Sequence, residues 1–413
     1  MAAGQSEPSL QAQPSSNEAA DLHAADLVQD LPASENKRFY PALDGLRALA
    51  ILMVFYQHYL AVHPVLNWGW TGVDFFFVLS GFLITGILYD TRNTVHRFRN
   101  FYVRRTLRIF PLYYGVLLVA LLLNPIFHWV WHPAWFLWPF YLGNYARFIW
   151  LSDFLKDTKT LEHFRSSIPF HTPFFLYVGH FWSLCVEEQF YLVWPLIVFF
   201  VNDRVRLRNF CIAVCVFSLA ARVACLYFVP QPYLQAEMLY RLTPLRADAL
   251  LLGGLLALML RGPEVRWLSR ILRPTLYIFI AGFFIFETMY RLFVHHVYYP
   301  NAAAPGLSTI GLTLIDLFAG VIVLLSLEPS SFLYRVFTLK PLRRLGQMSY
   351  GFYVFHDIPH VAYIMLVSRL FGPLRQDRYV VALIALVGTL ILSYLSFRYF
   401  EAPFLRLKDR FTT

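Results

Sequence analysis

The chain is a series of apolar runs, most of them about 20 residues long, separated by short polar segments. A helix needs about 20 apolar residues to cross the hydrocarbon core of a bilayer, so each run is long enough to span a membrane. The pattern therefore predicts an all-α polytopic membrane protein. We expect about ten transmembrane helices, at residues 43–62, 70–89, 106–126, 180–201, 209–229, 243–260, 272–294, 307–327, 345–370 and 379–400.

One further apolar run, Trp129 to Trp150, is interrupted by Pro133 and Pro139, and the distribution of charge decides how it is placed. If it does not cross, every loop rich in Lys and Arg falls on one side of the membrane, which the positive-inside rule assigns to the cytoplasm. We therefore expect both termini to be cytoplasmic and residues 128–179 to form an outer loop, partly interfacial or re-entrant. The basic loops are 92–108, 204–208, 261–273, 335–344 and 406–410.

Composition supports the membrane assignment. The chain is 58% hydrophobic and only 15% charged, whereas soluble domains carry about a quarter charged residues. The net charge of +10 comes from basic clusters between apolar runs, so no nucleic-acid partner is expected. Residues 1–36 contain no long apolar run and are predicted to be a disordered cytoplasmic tail. Residues 37–405 then form the transmembrane domain, and 406–413 form a basic cytoplasmic tail.

Two ionisable residues lie within the first predicted span. Arg47 and His58 are 11 residues apart, which places them about 16 Å apart along a helix and on roughly the same face. An ionisable side chain inside a membrane is costly and marks a candidate functional site. Glu187 and Glu188 lie at a similar depth to His58 in the fourth span, and a His beside a carboxylate suits general-base catalysis. Sequence alone equally allows a proton relay.

Further polar residues fall within the other spans, and pointing inward together they would line one polar cavity. We expect Arg246 and Asp248 to form an ion pair with each other. The alternative is that these groups only hold the helices together. The candidate cavity-lining residues are Asp74, Ser80, Arg246, Asp248, Tyr350 and His356.

A cluster of arginines is expected at the cytoplasmic end of the bundle. Arg105 and Arg108 are three residues apart and share a helix face at the start of the third span, and Arg47 lies at the same depth. Guanidinium groups bind phosphates with two hydrogen bonds, so this cationic mouth suits a phosphorylated ligand. An ordinary positive-inside cluster is the alternative interpretation.

These motifs, in this order, resemble the acyltransferase 3 family, the bacterial integral-membrane O-acyltransferases of the O-antigen acetylase type. The similarity covers about residues 38 to 405. It rests on LDGLRALAILMVFYQH, with Arg47 and His58; GVDFFFVLSGFLI; RRTLRIFPLYY, with Arg105 and Arg108; HFWSLCVEEQFYLVWP, with Glu187; RADALLLG; MSYGFYVFH; and EAPF.

The resemblance implies transfer of an acyl group, expected to be acetyl, from cytoplasmic acyl-CoA to a hydroxyl group of an acceptor at the outer side of the bacterial inner membrane. His58 would act as the general base, Glu187 would orient or charge it, and Arg47, Arg105 and Arg108 would hold the CoA phosphates. The acceptor would be a glycan, a lipid-linked saccharide or another hydroxylated compound. Lipopolysaccharide and exopolysaccharide are within the family's range.

Two other functions are compatible with the same residues. A proton-coupled transporter or flippase would use the buried His and Glu as a relay, although we find no internal repeat of the kind such proteins often show. A non-catalytic partner in glycan assembly would use the polar residues only for packing. We expect no metal site, because the histidines lack ligand spacing, and no fused SGNH-type domain. The four cysteines are expected to be reduced. The sequence does not indicate the oligomeric state.

Overall fold

A computed structural model describes residues 40–61, 68–127, 133–146, 148, 178–293, 306–371 and 378–411. Within these ranges the regular structure is helical and contains no strand, which confirms the all-α prediction. The main helices are α1 (Pro41–Tyr59), α2 (Gly72–Asp90), α3 (Arg97–Phe127), α4 (Trp182–Val201), α5 (Arg204–Phe228), α6 (Pro232–Arg241), α7 (Thr243–Met259), α8 (Val265–Phe293), α9 (Leu312–Leu325), α10 (Phe332–Phe337), α11 (Lys340–Gln347), α12 (Ser349–Phe355), α13 (His360–Phe371), α14 (Arg378–Leu395) and α15 (Ala402–Leu407).

Short 3₁₀ and π-helical segments connect or extend these helices. Three-residue 3₁₀ turns precede α2 and α4, and an eight-residue 3₁₀ segment covers Pro133–Phe140. Wider π-helical turns precede α9 at Leu307–Gly311 and follow α14 at Ser396–Glu401.

Seven helical segments of the described chain are long and apolar enough to cross a membrane, so the protein is a multi-pass membrane protein. Helices occupy all ten predicted spans, but α1, α8 and the segment 345–370 lie outside these seven. The count of ten, like the orientation, therefore stays a prediction. The seven segments are Gly69–Asp90, Arg97–Leu123, Gly179–Val201, Arg204–Phe228, Leu234–Met259, Leu307–Leu325 and Arg378–Leu407.

The ninth predicted span, 345–370, is not one continuous helix. Helix α11 ends at Gln347, α12 covers the next stretch, and residues 356–359 form turns before α13 begins at His360. Proline lacks a backbone N–H and disfavours helical geometry at the preceding residue, so Pro359 accounts for the second break. This break brings His356 and Asp357 into the interior in a non-helical turn, where both are buried.

The basic loops gather at one end of the bundle. Arg261 at the end of α7 pairs with Asp90 at the end of α2, and Arg204 at the start of α5 pairs with Glu264. Gln347 of α11 donates a hydrogen bond to Asp44 near the start of α1, at 3.5 Å. This basic end therefore includes the start of α1, which carries Arg47. The other end includes the last turn of α1, which carries His58.

Helices α2 and α7 form the closest pair at the centre of the bundle. A Cβ atom on Gly81 would lie 1.7 Å from the carbonyl oxygen of Leu250, and one on Gly253 would lie 2.0 Å from that of Val78. Small residues allow such backbone contact between membrane helices, where dispersion and not the hydrophobic effect drives association. Helix α2 also packs against α1 and α4, and all three helices contribute side chains to the walls of the candidate site.

Several predictions lie outside the described residues. These are the disordered tail at 1–36, most of the outer loop at 128–179, and the end of the basic tail at 412–413.

Candidate active site

Helix α1 carries the two residues that the sequence singles out, and it places them at opposite ends of the bundle. Their separation of 11 residues corresponds to about 16 Å along the helix axis. The Arg47 guanidinium donates a hydrogen bond to Asp44 in the preceding turn, at 3.2 Å. Each residue lines a different cavity, one at the basic end and one at the other end. The cavities have volumes of about 90 and 100 Å³, enough for several water molecules each, so neither is a packing defect.

The cavity at the basic end, called here the arginine cavity, contains all three predicted arginines. It also contains Glu187, Ser80 and Tyr350 from the predicted set, together with Glu188, which the sequence placed beside Glu187. The residues that line it are Arg47, Val73, Phe76, Phe77, Leu79, Ser80, Leu83, Ile84, Arg105, Arg108, Ile109, Ser183, Leu184, Glu187, Glu188, Tyr191, Ser349, Tyr350 and Tyr353.

Two guanidinium groups in the arginine cavity lack a carboxylate partner. Among the described residues no carboxylate oxygen lies within 4 Å of Arg105 or Arg108, and neither side chain makes a hydrogen bond. The Arg105 guanidinium carbon lies 5.1 Å from the centre of the Tyr191 ring, an arrangement that orients its planar group. Unpaired guanidinium groups in a partly buried cavity form a site for an anion, and a phosphate suits them best.

The Glu187 carboxylate of the arginine cavity lies beside two hydroxyl groups. The Ser80 and Tyr191 hydroxyls hydrogen-bond to each other, and both lie within hydrogen-bonding reach of the Glu187 carboxylate. Tyr350 donates to the backbone carbonyl oxygen of Ile109 at 2.7 Å, which ties α12 to α3. Glu187 therefore belongs to the wall of the arginine cavity and not to the surroundings of His58.

The second cavity, called here the histidine cavity, surrounds His58. Aromatic side chains form much of its wall. Its lining residues are Val54, Gln57, His58, Trp70, Val73, Gly179, His180, Trp182, Tyr240, Arg241 and Tyr353. The His58 side chain keeps 32% of its surface exposed. A substrate group that enters this cavity can therefore reach the imidazole.

The protonation of the His58 ring follows from its hydrogen bond. Nδ1 lies 2.8 Å from the carbonyl oxygen of Val54, one turn earlier in α1. A carbonyl oxygen can only accept, so Nδ1 carries a proton and Nε2 of the neutral ring holds a lone pair. Nε2 is the atom that a general base needs, and the helix itself fixes its tautomer.

The carboxylate that faces His58 is Asp357, and the predicted pairing of His58 with Glu187 is wrong. Asp357 Oδ2 lies 3.9 Å from His58 Nε2 and 3.7 Å from His180 Nδ1, while its Oδ1 lies 3.7 Å from His360 Nδ1. At 3.9 Å the carboxylate is too far for a hydrogen bond but close enough to stabilise a protonated imidazole. The depth of residues in the predicted helices indicated a carboxylate near His58, but that carboxylate is Asp357 and not Glu187.

His356 lies behind His58 and is not among the residues that line either cavity. Its ring centre is 4.8 Å from that of His58 and 4.9 Å from that of His180, and its Nδ1–H donates to the carbonyl oxygen of Tyr353. The side chain is fully buried. His356 therefore packs against the back of the catalytic candidate, in place of the predicted position on the cavity wall.

The ion pair predicted between Arg246 and Asp248 does not form. Arg246 of α7 pairs instead with Asp74 of α2, and Asp248 pairs with Arg222 of α5, at 2.5 and 3.0 Å. All four side chains are buried, and none lines either cavity. Residues two positions apart on a helix point about 200° apart, so Arg246 and Asp248 on α7 contact different neighbours.

Three charged residues that are buried in the bundle are absent from the set predicted from sequence: Asp357, Arg222 and Asp316. Each lies in or beside an apolar run, which is the signal that identified the others. Asp357 directly follows His356 in the sequence, so that signal was present. In the described part of the chain, no group of three or more His, Cys, Asp or Glu side chains is arranged to hold a metal ion. The four cysteines, which all lie in described helices, are free.

Comparison with known proteins identifies related chains. The Bacillus subtilis protein YrhL, named as an inferred peptidoglycan O-acetyltransferase, is 32% identical over 389 residues, which cover 90% of this chain and 55% of YrhL. The peptidoglycan O-acetyltransferase OatA of Listeria monocytogenes is 30% identical, with 89% and 56% covered. The O-acetyltransferase OatA of Staphylococcus aureus is 26% identical, with 89% and 57% covered.

The chain thus spans a little over half the length of each of these relatives. No solved structure matches it. The sequence profile of an acyltransferase domain matches residues 40–398, which include α1 to α14 and both cavities. The chain therefore belongs to the acyltransferase 3 family of membrane enzymes that transfer acyl groups.

Proposed function

We propose that this protein transfers an acetyl group from acetyl-CoA, bound at the arginine cavity, to a hydroxyl group of a glycan that enters the histidine cavity. The observation that carries the proposal is the position of His58. His58 lines an open cavity at one end of α1 and keeps Nε2 free of the hydrogen bond that holds Nδ1, and Arg105 and Arg108, which have no carboxylate partner among the described residues, line a second cavity at the other end. The two cavities adjoin, because Val73 and Tyr353 line both.

The arginine cavity suits the donor. Arg105 and Arg108 have no carboxylate partner among the described residues, so their guanidinium groups are available for the phosphates of CoA. Phe76 and Phe77 line the same cavity and offer an apolar surface to the less polar arm of the donor. The basic end faces the cytoplasm under the positive-inside rule, and this is the compartment that supplies acetyl-CoA.

The histidine cavity suits the acceptor and the base. His58 Nε2 takes the proton of the acceptor hydroxyl while the acceptor oxygen attacks the carbonyl carbon of the thioester. The carbon–sulfur bond breaks, and the leaving thiolate takes the proton from the His58 imidazolium, so the products are the ester and free CoA. Asp357, at 3.9 Å, stabilises the charged ring between these two steps.

The acceptor class is inferred from the relatives and from the cavity wall. Two of the relatives are named for peptidoglycan, a glycan outside the inner membrane of bacteria. Trp70, Trp182 and Tyr240 provide flat apolar surfaces in the histidine cavity, on which sugar rings can stack. We therefore propose a glycan acceptor at the outer face of the bacterial inner membrane.

Acyl transfer by purified protein tests this proposal. Wild type and His58→Ala, reconstituted in lipid at equal amounts, are given radiolabelled acetyl-CoA and envelope glycan. We expect label in the glycan with wild type and a loss of about 10²- to 10⁴-fold with the variant, the range typical of a general base. Full transfer by His58→Ala would exclude His58 as the base. As a control for folding, the His58→Ala protein should bind acetyl-CoA as wild type does.

A further inference from the structure

Two residues are shared by the walls of the two cavities, and they mark the place where the cavities meet. Val73, in the first turn of α2, and Tyr353, in α12, line both the arginine cavity and the histidine cavity. Both are buried, with 6% of their surface exposed. Under the proposed function, an acyl group carried by a donor in the arginine cavity passes between these two side chains to reach His58.

The Tyr353 ring is held in place from both sides. Its hydroxyl donates to the carbonyl oxygen of His180 at 2.6 Å and accepts from the Ser183 hydroxyl at 2.5 Å. Ser183 lines the arginine cavity and His180 lines the histidine cavity, so the two hydrogen bonds anchor the ring across their boundary. The ring also makes an edge-to-face contact with Phe76, with centroids 6.3 Å apart.

Val73, the other residue at this boundary, is also restricted. A β-branched side chain in a helix has one strongly preferred rotamer, so Val73 cannot turn aside easily. Its helix is fixed by the close contact between α2 and α7 at Gly81 and Gly253. Two restricted side chains therefore stand where the two cavities adjoin, and neither is free to move aside as a mobile gate would.

We propose that Val73 and Tyr353 form a fixed constriction that limits the transferred acyl group to the size of acetyl. This inference rests on the proposed function and adds a specificity-determining role for two residues. A longer acyl chain places extra methylene groups beside the Tyr353 ring, where there is no room without a shift of the ring and loss of its hydrogen bonds. An apolar pocket discriminates by about 10- to 200-fold for each methylene group that it rejects.

The test compares acetyl-CoA with butyryl-CoA as donors, for wild type and Val73→Ala in reconstituted lipid. We expect wild type to prefer acetyl-CoA by at least about tenfold in kcat/KM, and Val73→Ala to reduce that preference by about tenfold. Val73→Ile, which narrows the opening, should increase the preference. Tyr353→Phe keeps the ring but removes both hydrogen bonds, and should also weaken discrimination.

Val78→Ala is the matched control. Val78 lies on the same helix, is fully buried and lines neither cavity, so its truncation removes the same atoms from the core without widening the constriction. We expect it to lower thermal stability and leave the donor preference unchanged. Equal use of both donors by wild type, or an unchanged preference in Val73→Ala and Val73→Ile, would overturn the constriction alone. Absence of transfer from either donor by folded wild type would overturn the proposed function.

Discussion

His58 and Asp357 are placed so that the carboxylate can stabilise a charged imidazole without forming a hydrogen bond to it. Their facing atoms are 3.9 Å apart, and the ring is oriented instead by the hydrogen bond from Nδ1 to Val54. In serine hydrolases a carboxylate both orients the catalytic His and stabilises its charge. Here a backbone carbonyl performs the first task and Asp357 is available for the second.

The Asp357→Asn variant tests this division of roles. Asparagine keeps the shape of the side chain but removes its charge, so the imidazolium that forms during transfer loses its stabilising partner. We expect kcat to fall by about tenfold to a hundredfold, with the KM for acetyl-CoA unchanged. The measurement is steady-state transfer over a range of donor concentrations. A change in KM alone, or a fall in thermal stability with normal kcat, would show that Asp357 has only a structural role.

Arg105 and Arg104 are adjacent residues with different surroundings. Comparing their alanine variants therefore distinguishes specific donor binding from a general effect of positive charge. Arg105 lines the arginine cavity, whereas Arg104 donates to the carbonyl oxygen of Phe411 near the end of the chain. Arg105→Ala should raise the KM for acetyl-CoA by about tenfold or more, because each hydrogen bond to a charged group contributes about 1.5–3 kcal/mol. Arg104→Ala should change it less than about twofold. Equal effects would contradict a specific phosphate site.

Sequence reasoning predicted the arginine cavity better than the histidine cavity, for a physical reason. The grouping of Arg47, Arg105 and Arg108 follows from their similar depth in the membrane. Long, flexible arginine side chains at one depth can reach the same cavity from different helices. Glu187 was also placed by depth, but a short carboxylate must point in the right direction as well. Successive positions on a helix point about 100° apart, and rotation about the axis depends on packing that one sequence does not reveal.

At the scale of helices, two buried ion pairs hold α2, α5 and α7 together. Arg246 pairs with Asp74, and Arg222 pairs with Asp248, with an additional hydrogen bond from Arg222 to Thr313. Charges inside a membrane domain are tolerated when they are paired in the bundle interior. These pairs join the helix that carries Val73 to the rest of the bundle and lie apart from both cavities.

Removal of one partner tests their structural role. Asp248→Ala leaves the fully buried Arg222 without its carboxylate, so we expect a loss of about 3–5 kcal/mol in stability and a lower thermal transition in detergent. Glu264→Gln is the control, because Glu264 also pairs with two arginines but at the basic end. Its loss should cost under about 1 kcal/mol. A similar transition temperature for both variants would contradict the importance of the buried pair.

Glu264 neutralises part of the positive charge at the basic end. Burial alone would raise the pKa of Glu264, but hydrogen bonds from Arg204 and Arg208 outweigh it and hold that pKa below its usual value. The carboxylate therefore stays charged near neutral pH and offsets part of the positive cluster. In the arginine cavity, by contrast, Arg105 and Arg108 have no carboxylate partner among the described residues.

The break in the ninth predicted span shows the limit of prediction from apolar runs. Hydropathy over residues 345–370 suits one long helix, whereas the structure interrupts the helix after Gln347 and again at the turns of residues 356–359. Pro359 signals an interruption, but proline is also tolerated within membrane helices. The turn at 356–359 places His356 and Asp357 beside His58. A continuous helix would have directed these two residues elsewhere.

At the scale of the whole molecule, the two cavities lie at opposite ends of the bundle. Basic loops and the arginine cavity lie at one end of the bundle, the histidine cavity lies at the other, and the constriction of Val73 and Tyr353 lies between them. Under the proposed function, the protein has no need to carry the donor or the acceptor across the bilayer, and only the acetyl group passes from one side to the other.

Transfer across a sealed membrane tests this account most directly. The protein is reconstituted in vesicles that enclose envelope glycan, and radiolabelled acetyl-CoA, which cannot cross the bilayer, is added outside. Molecules whose basic end faces outward should label the enclosed glycan, and His58→Ala should abolish that label. Label that enters glycan only when it is present outside, on the same side as the donor, would contradict transfer between the two cavities.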